Sequence, residues 1–120
     1  MALYHMKRLL EDAQKDNRAI GAFNICNMET LLGVVKASEE TNTPVILQVA
    51  EKRLKHSPLR LVGPMMVSVA RKSKIPIAVH LDHGYSLNTI KEAIDYGFTS
   101  VMFDGSPYPL EENIRRTRDV

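Results

Sequence analysis

Pro76-Ile77-Ala78-Val79-His80-Leu81-Asp82-His83-Gly84 is the stretch on which the reading of this fold turns. Its first half is an unbroken apolar run, the pattern of a strand covered on both faces in a parallel sheet. Its second half sets two histidines and an aspartate where such a strand ends, followed by a glycine that can turn without a Cβ clash. Strict alternation would send Asp82 and His83 to opposite faces, but a turn at the strand end lets both approach one cavity. An aspartate beside a histidine at the mouth of a buried strand carries a desolvation cost unless a partner or ligand uses the pair. A neutral imidazole can ligate zinc and a neighbouring carboxylate can pass a proton. A helix cap or a satisfied buried pair explains the same residues, and on residue types alone the two readings stand level.

Outward from that stretch the chain alternates. Upstream, Val62, Met65, Met66, Val69 and Ala70 form a helical stripe, with Arg71, Lys72 and Lys74 near its end, where positive charge suits the helix dipole. Before it, residues 44–49 are another β-rich run. A helix capped by Asn27 carries Met28, Leu31, Leu32 and Val35 and is broken at Thr41-Asn42-Thr43-Pro44. Residues 19–23 predict a short strand, and residues 3–13 a first helix with Met6, Leu9, Leu10 and Ala13 on one side. Downstream, Ser86 caps a helix carrying Leu87, Ile90, Ala93 and Ile94 that Gly97 stops. Residues 99–103 make a fourth strand. Residues 109–120 make a last helix, in which Glu111 and Glu112 each precede an arginine, Arg115 and Arg116, by four positions.

A helix followed by four strand–helix units suits right-handed crossovers. With 120 residues there is room for one domain, and a flavodoxin-like doubly wound sheet fits that length better than a (β/α)8 barrel, which takes about 250 residues. The residues at the strand ends favour the barrel. Apolar residues at 44% and charged residues at 25% are ordinary globular usage, so disorder is not expected. Apolar runs such as 75–81 fall far short of the roughly 18 residues of a spanning helix, so no membrane is expected. No leader pattern suggests export, and the single cysteine, Cys26, suits a reducing cytoplasm. A net charge of +2 is too small to argue for nucleic acid.

Four strand-end corners gather the polar residues: Asn24, residues 48–56, residues 80–84, and Asp104-Gly105-Ser106. Asn24 can hydrogen-bond a substrate or close a turn. Asp104 can bind a cation or cap the next helix with Ser106, and by itself the cap reading leads. Lys52, Arg53, Lys55 and His56 form a basic loop on the ligand-binding face, where a phosphate is a minority reading beside solvated surface. His5 reads as helix surface and Cys26 as a packing residue. The chain has no glycine-rich phosphate loop and no zinc-finger spacing.

With those residues in view, the chain resembles the N-terminal part of the class II, zinc-dependent fructose-bisphosphate and tagatose-bisphosphate aldolases. The matching stretches are Gly21-Ala22-Phe23-Asn24, Asn27-Met28-Glu29, Pro44-Val45-Ile46-Leu47-Gln48 and His80-Leu81-Asp82-His83-Gly84, then the run from Ala93 through Ser106 and Glu111-Glu112-Asn113-Ile114. The resemblance implies that residues 1–120 are the N-terminal half of one (β/α)8 barrel domain. It implies a cytoplasmic lyase that splits a ketose bisphosphate into dihydroxyacetone phosphate and glyceraldehyde 3-phosphate, with zinc polarising the ketone. His83 would be one of three zinc histidines and Asp82 the proton carrier at the C4 hydroxyl. Asp104 would be the carboxylate near a second or alternate cation, and Asn24 would shape the pocket. The partners implied are a phosphorylated ketose and further copies of the same chain, as a dimer or tetramer.

Two departures stand out. Family members commonly carry serine then Glu-Gly-Ala where this chain has Ala50-Glu51-Lys52-Arg53, so Lys52 or Arg53 is expected to take over charge recognition, or the acceptor aldehyde differs. Pro107-Tyr108 replaces a common His-Leu pair and implies a modified loop. The other zinc histidines implied by the resemblance are not among these residues. The chain alone is therefore expected to be inactive, a piece of a longer protein or one half awaiting another, with open sheet edges and an incompletely covered apolar interior. A non-catalytic half-barrel that assembles with a partner, and a stand-alone flavodoxin-like binding domain, are the alternative readings.

Overall fold

The computed structural model describes residues 3–120. The elements run α1 (Met6–Lys15), β1 (Gly21–Asn24), α2 (Met28–Thr41), β2 (Val45–Ala50), a single 3-10 turn (Glu51–Arg53), α3 (Leu59–Lys72), β3 (Ile77–Gly84), α4 (Leu87–Asp95), β4 (Ser100–Phe103) and α5 (Leu110–Asp119). The strands form one sheet in the order β1-β2-β3-β4, each neighbouring pair parallel. That order separates the two architectures. A doubly wound sheet reverses at a switch point and carries helices on both faces. Here the chain advances one strand at a time, and α2, α3 and α4 pack on the same face, as in four consecutive units of a (β/α)8 barrel.

Strand alternation divides the sheet into two unlike faces. Val45, Leu47 and Val49 of β2 and Ile77, Val79 and Leu81 of β3 point outward and pack with Leu31, Val62, Met66 and Ile90 of the helices. Each such side chain contributes about 1.5–3 kcal/mol relative to exposure. The intervening residues point inward. There Ile46 and Ala78 lie under Leu9 of α1, with Tyr4, Met6 and Ile20 around them. The cover of the apolar interior is partial: α1 covers the lower inner face and the next layer up is polar. The edges do stay open. β1 is exposed along its length, and beside it Phe23, Val34, Ala37 and Pro44 line an apolar groove of about 310 Å³.

Local chemistry explains most boundaries. Asn27 Oδ1 accepts from the Thr30 N–H at 2.9 Å while Thr30 Oγ1 accepts from the Asn27 N–H at 3.1 Å, a capping box that starts α2. α2 stops at Asn42, whose φ of +50° is a left-handed conformation that asparagine tolerates. Ser86 caps α4 and Gly97, at φ +93°, follows its end, both as expected. Other boundaries move. The first helix starts at Met6, because Leu3 bridges to Ile77 and the Tyr4 N–H donates to the Ile77 carbonyl at 2.8 Å. In α5 the arginines do not pair one to one: Glu112 takes both Arg115 (2.8 Å) and Arg116 (2.6 Å), which hold its carboxyl down to about 2. Among the described residues no helix is long and apolar enough to cross a membrane.

Leu47 is fully buried between β2 and the helices, whereas Leu61 on α3 is exposed. Leu47→Ala is expected to destabilise the full-length protein by about 2–5 kcal/mol, and Leu61→Ala by no more than about 0.5 kcal/mol. Urea unfolding of both variants measures the difference.

Candidate functional site

The end of β3 departs from regular strand geometry where the sequence concentrates its chemistry. β3 pairs with β4 at His80↔Ser100 and Leu81↔Val101, then shifts register to Gly84↔Phe103. Two residues, Asp82 and His83, thus stand against one on β4, and such a bulge breaks the strict alternation of side chains. His83 has φ +47°, a left-handed backbone that costs an ordinary residue about 1–2 kcal/mol. The bulge brings the neighbouring side chains together, with His83 Nε2 at 3.9 Å from Asp82 Oδ1. The expectation that Gly84 makes this turn is corrected, since the left-handed residue is His83 itself. Gly84 is required for space: a Cβ there would sit 2.9 Å from the Met102 carbonyl oxygen and 3.0 Å from Ile90.

Asp104, buried just beyond β4, closes the other side of the corner. Its Oδ2 lies 2.7 Å from His83 Nδ1, its Oδ1 accepts from the Ser106 N–H at 3.1 Å, and its own N–H donates to the Gly84 carbonyl at 2.8 Å. Hydrogen bonds from Ser106 and then His83 hold the Asp104 carboxyl down to about 2. The same Asp104 bond, followed by the negative charge of Asp82, raises His83 above 6.5, against desolvation and, more weakly, the charge of Lys52. An ionised carboxylate on Nδ1 makes that nitrogen the donor and leaves Nε2 as the outward-facing one. This is the carboxylate–histidine arrangement that orients metal ligands. His83 is half exposed, so Nε2 is reachable. One imidazole is this corner's share of any ion site, for no group of three His, Cys, Asp or Glu able to hold a metal occurs among the described residues.

Below the corner a polar row crosses the inner face. Asn24, Gln48, His80 and Ser100 are successive cross-strand partners. The Gln48 amide nitrogen reaches Asn24 Oδ1 at 3.5 Å and Asp82 Oδ2 at 3.3 Å, so it links the first and third corners. His80 Nδ1 lies 2.9 Å from Ser100 Oγ, and burial pulls its pKa below 6.5. Ala50 pairs directly with Asp82, so the position where a serine was expected offers no hydroxyl beside the carboxylate.

The two basic candidates separate. The charge of Lys52 acts weakly on His83, while an Arg53 guanidinium nitrogen lies 3.5 Å from Cys26 Sγ at the first corner. His5 and His56 are exposed and take no part in the cluster. Tyr108 stacks on Phe103 with centroids 6.4 Å apart and lies under Arg116, which packs the modified loop against β4 and α5. Gln48 and Glu51 were missed as site residues. Gln48 was legible as the one amide in an apolar run. Glu51 was not, because its carboxylate acts on residues 34 or more positions away.

The sequence matches the family "Fructose-bisphosphate aldolase class-II" over residues 4–120. It is 41% identical over 121 residues to a fructose-bisphosphate aldolase of Giardia intestinalis, covering all of this chain and 38% of that protein. To a fructose-bisphosphate aldolase of Staphylococcus aureus it is 42% identical over 125 residues, covering all of this chain and 43% of the relative. Among solved structures it superposes on the YdjI aldolase of Escherichia coli K12 with a TM-score of 0.92 and 37% identity, over 98% of this chain and 45% of that one. The chain thus spans about two-fifths of the length of the proteins it matches.

The signs of the two shifts set opposite pH limits for metal-free protein. Because His83 is raised, the stability it adds is complete below 6.5 and is lost as pH rises through its folded value. Because Asp104 is lowered to about 2, the stability it adds is present above its ordinary 3.8 and is lost as pH falls through 2. An NMR titration of the histidine ring protons is expected to give His83 a midpoint above 6.5 and His80 one below it. Asp104→Asn is expected to lower the His83 midpoint. Gly84→Ala is expected to destabilise by about 1–3 kcal/mol through the clash with the Met102 carbonyl, measured by thermal unfolding.

Proposed function

The chain belongs to the class-II fructose-bisphosphate aldolase family, and from that we propose that the protein carrying it cleaves and forms ketose bisphosphates with a divalent metal, zinc, at His83. The substrate class is fructose 1,6-bisphosphate or tagatose 1,6-bisphosphate, and the products are dihydroxyacetone phosphate and glyceraldehyde 3-phosphate. The observation that carries this reading is the corner itself: Asp82 beside His83 at the end of a barrel strand, with His83 Nδ1 held by Asp104 at 2.7 Å.

His83 fits one ligand position through Nε2, and its remaining companions would come from outside the described residues. When bound, the metal supplies Lewis acidity toward the substrate ketone. Asp104 acts through His83, fixing ring and tautomer, so its support of the metal site is indirect. Asp82 takes the proton from the C4 hydroxyl as the C3–C4 bond breaks and returns it in condensation. Gln48 steadies that carboxylate by donating to Oδ2, which leaves Oδ1 for the substrate. Asn24, next in the same row, accepts from Gln48 at 3.5 Å and is assigned the shaping of the pocket. Arg53 is engaged with Cys26, which leaves Lys52, whose charge acts on His83, as the cation for a phosphate.

The test is cleavage of ketose bisphosphates by the full-length protein, with and without a chelator. Wild type is expected to lose activity on chelation and regain it with zinc, and the 120-residue polypeptide alone is expected to be inactive. Asp82→Asn is expected to lower kcat by about 10²- to 10⁴-fold with metal content unchanged, whereas His83→Ala loses the metal. Lys52→Ala should narrow the preference for bisphosphates over ketose 1-phosphates, and Arg53→Ala should not. A wild-type protein that binds zinc yet cleaves neither bisphosphate would leave the non-catalytic half-barrel as the better account.

A further inference from the structure

Glu51 lies outside the reaction just described, yet its carboxylate is wholly engaged by a neighbouring corner. It is the first residue after β2. Its Oε2 accepts from the backbone N–H groups of Tyr85 and Ser86, the latter at 3.1 Å, and its Oε1 accepts from Thr89 Oγ1 at 2.8 Å. These donors form the entrance of α4. Comparison with α2 shows what is unusual. Both helices begin with a short polar N-cap, Asn27 or Ser86, and a threonine three residues on. At α2 Thr30 turns back and accepts the N-cap's own N–H. At α4 the Thr89 hydroxyl accepts from the Ser86 hydroxyl at 2.7 Å and donates to Glu51, and it is Glu51 that takes the Ser86 N–H. The acceptor that a capping box draws from its own helix is here supplied by the turn that follows β2.

Tyr85 is two residues past His83, the left-handed residue of the bulge. A backbone in that region persists only where its surroundings over-determine it. One restraint is Asp104, bonded to the imidazole and to the Gly84 carbonyl. The other is Glu51, which fixes the chain on the downstream side. We propose that Glu51 is a positioning residue: by pinning Tyr85 and Ser86 it holds the left-handed turn at His83 and keeps the imidazole against Asp104. The role needs oxygen lone pairs and not a net charge. Glutamine serves it, because its carbonyl oxygen can take both N–H groups while its NH2 faces the Thr89 hydroxyl, which can accept.

The kinetic part of this proposal rests on the aldolase reading; the structural part does not. In the full-length, metal-loaded protein, Glu51→Ala is expected to speed amide exchange at Tyr85 and Ser86. It should lower kcat by about 10- to 100-fold and move KM by less than about twofold, and Glu51→Gln should restore both. Asn27→Ala removes a cap of the same kind at α2 and is expected to lower Tm without changing kcat. Wild-type kcat in Glu51→Ala, failure of Glu51→Gln to rescue, or an equal loss in Asn27→Ala would each overturn the proposal. If Glu51→Ala does not fold, Glu51→Asp, whose shorter side chain draws the carboxylate back from the Tyr85 and Ser86 N–H groups, takes its place, and unchanged amide exchange and kcat there overturn it. If wild type cleaves no ketose bisphosphate, the aldolase reading alone fails. A crystal structure of Glu51→Ala then decides: a released His83–Asp104 contact supports the proposal and an intact one refutes it.

Discussion

The hydrogen bond between His83 Nδ1 and Asp104 Oδ2 joins the ends of two neighbouring strands, and much of the local structure exists to permit it. For the imidazole to face Asp104 and remain beside Asp82, β3 has to shift register against β4 and His83 has to take a left-handed backbone. For the strands to stay close, Gly84 has to lack a Cβ opposite the Met102 carbonyl. Gly105 is under a softer limit, since a Cβ there would meet only the end of the Asn113 side chain of α5, which can swing away. The bond also decides which ring nitrogen faces the pocket, because an ionised carboxylate on one nitrogen makes that nitrogen the donor.

Support for so strained a corner comes from the division of labour between the two faces of the sheet. The outer face is apolar and packed by three helices, which contributes the hydrophobic stabilisation. The inner face changes character with height. Leu9 of α1 covers Ile46 and Ala78 at the bottom, the row from Asn24 to Ser100 lies above, and Asp82 and His83 stand at the top. Polar groups in such a place are tolerable when their hydrogen bonds are made. Here they are, and no buried side-chain nitrogen or oxygen lacks a partner among the described residues.

The order of elements was legible in the sequence because period-two and period-3.6 patterns alternate cleanly, with Asn27, Ser86 and Gly97 marking ends. The candidate site was legible in part. Asp82, His83 and Asp104 stood out as ionisable residues at the ends of apolar runs. Their division of labour did not, because a bulge is a property of two paired strands and not of one. The apolar stripes read too broadly: Leu10, Leu32 and Ile94 fit the helical pattern and yet are exposed, since a helix buries only the face that meets the sheet. The flavodoxin-like alternative survived on length and failed on strand order.

The alternation of strands and helices, the family, and the cluster of residues on which chemistry can be built follow from the order of residues alone. Those depend on residue types and spacings, which are local. The tertiary structure decided that the strands run in sequential order and that α1 covers the lower inner face. It also decided that His83 carries the left-handed turn, that Asp104 orients its ring, and that Glu51 caps a helix belonging to another unit. Each of these depends on contacts between residues far apart in the chain, where a hydrogen bond or a missing Cβ selects one backbone path among several that the local sequence permits.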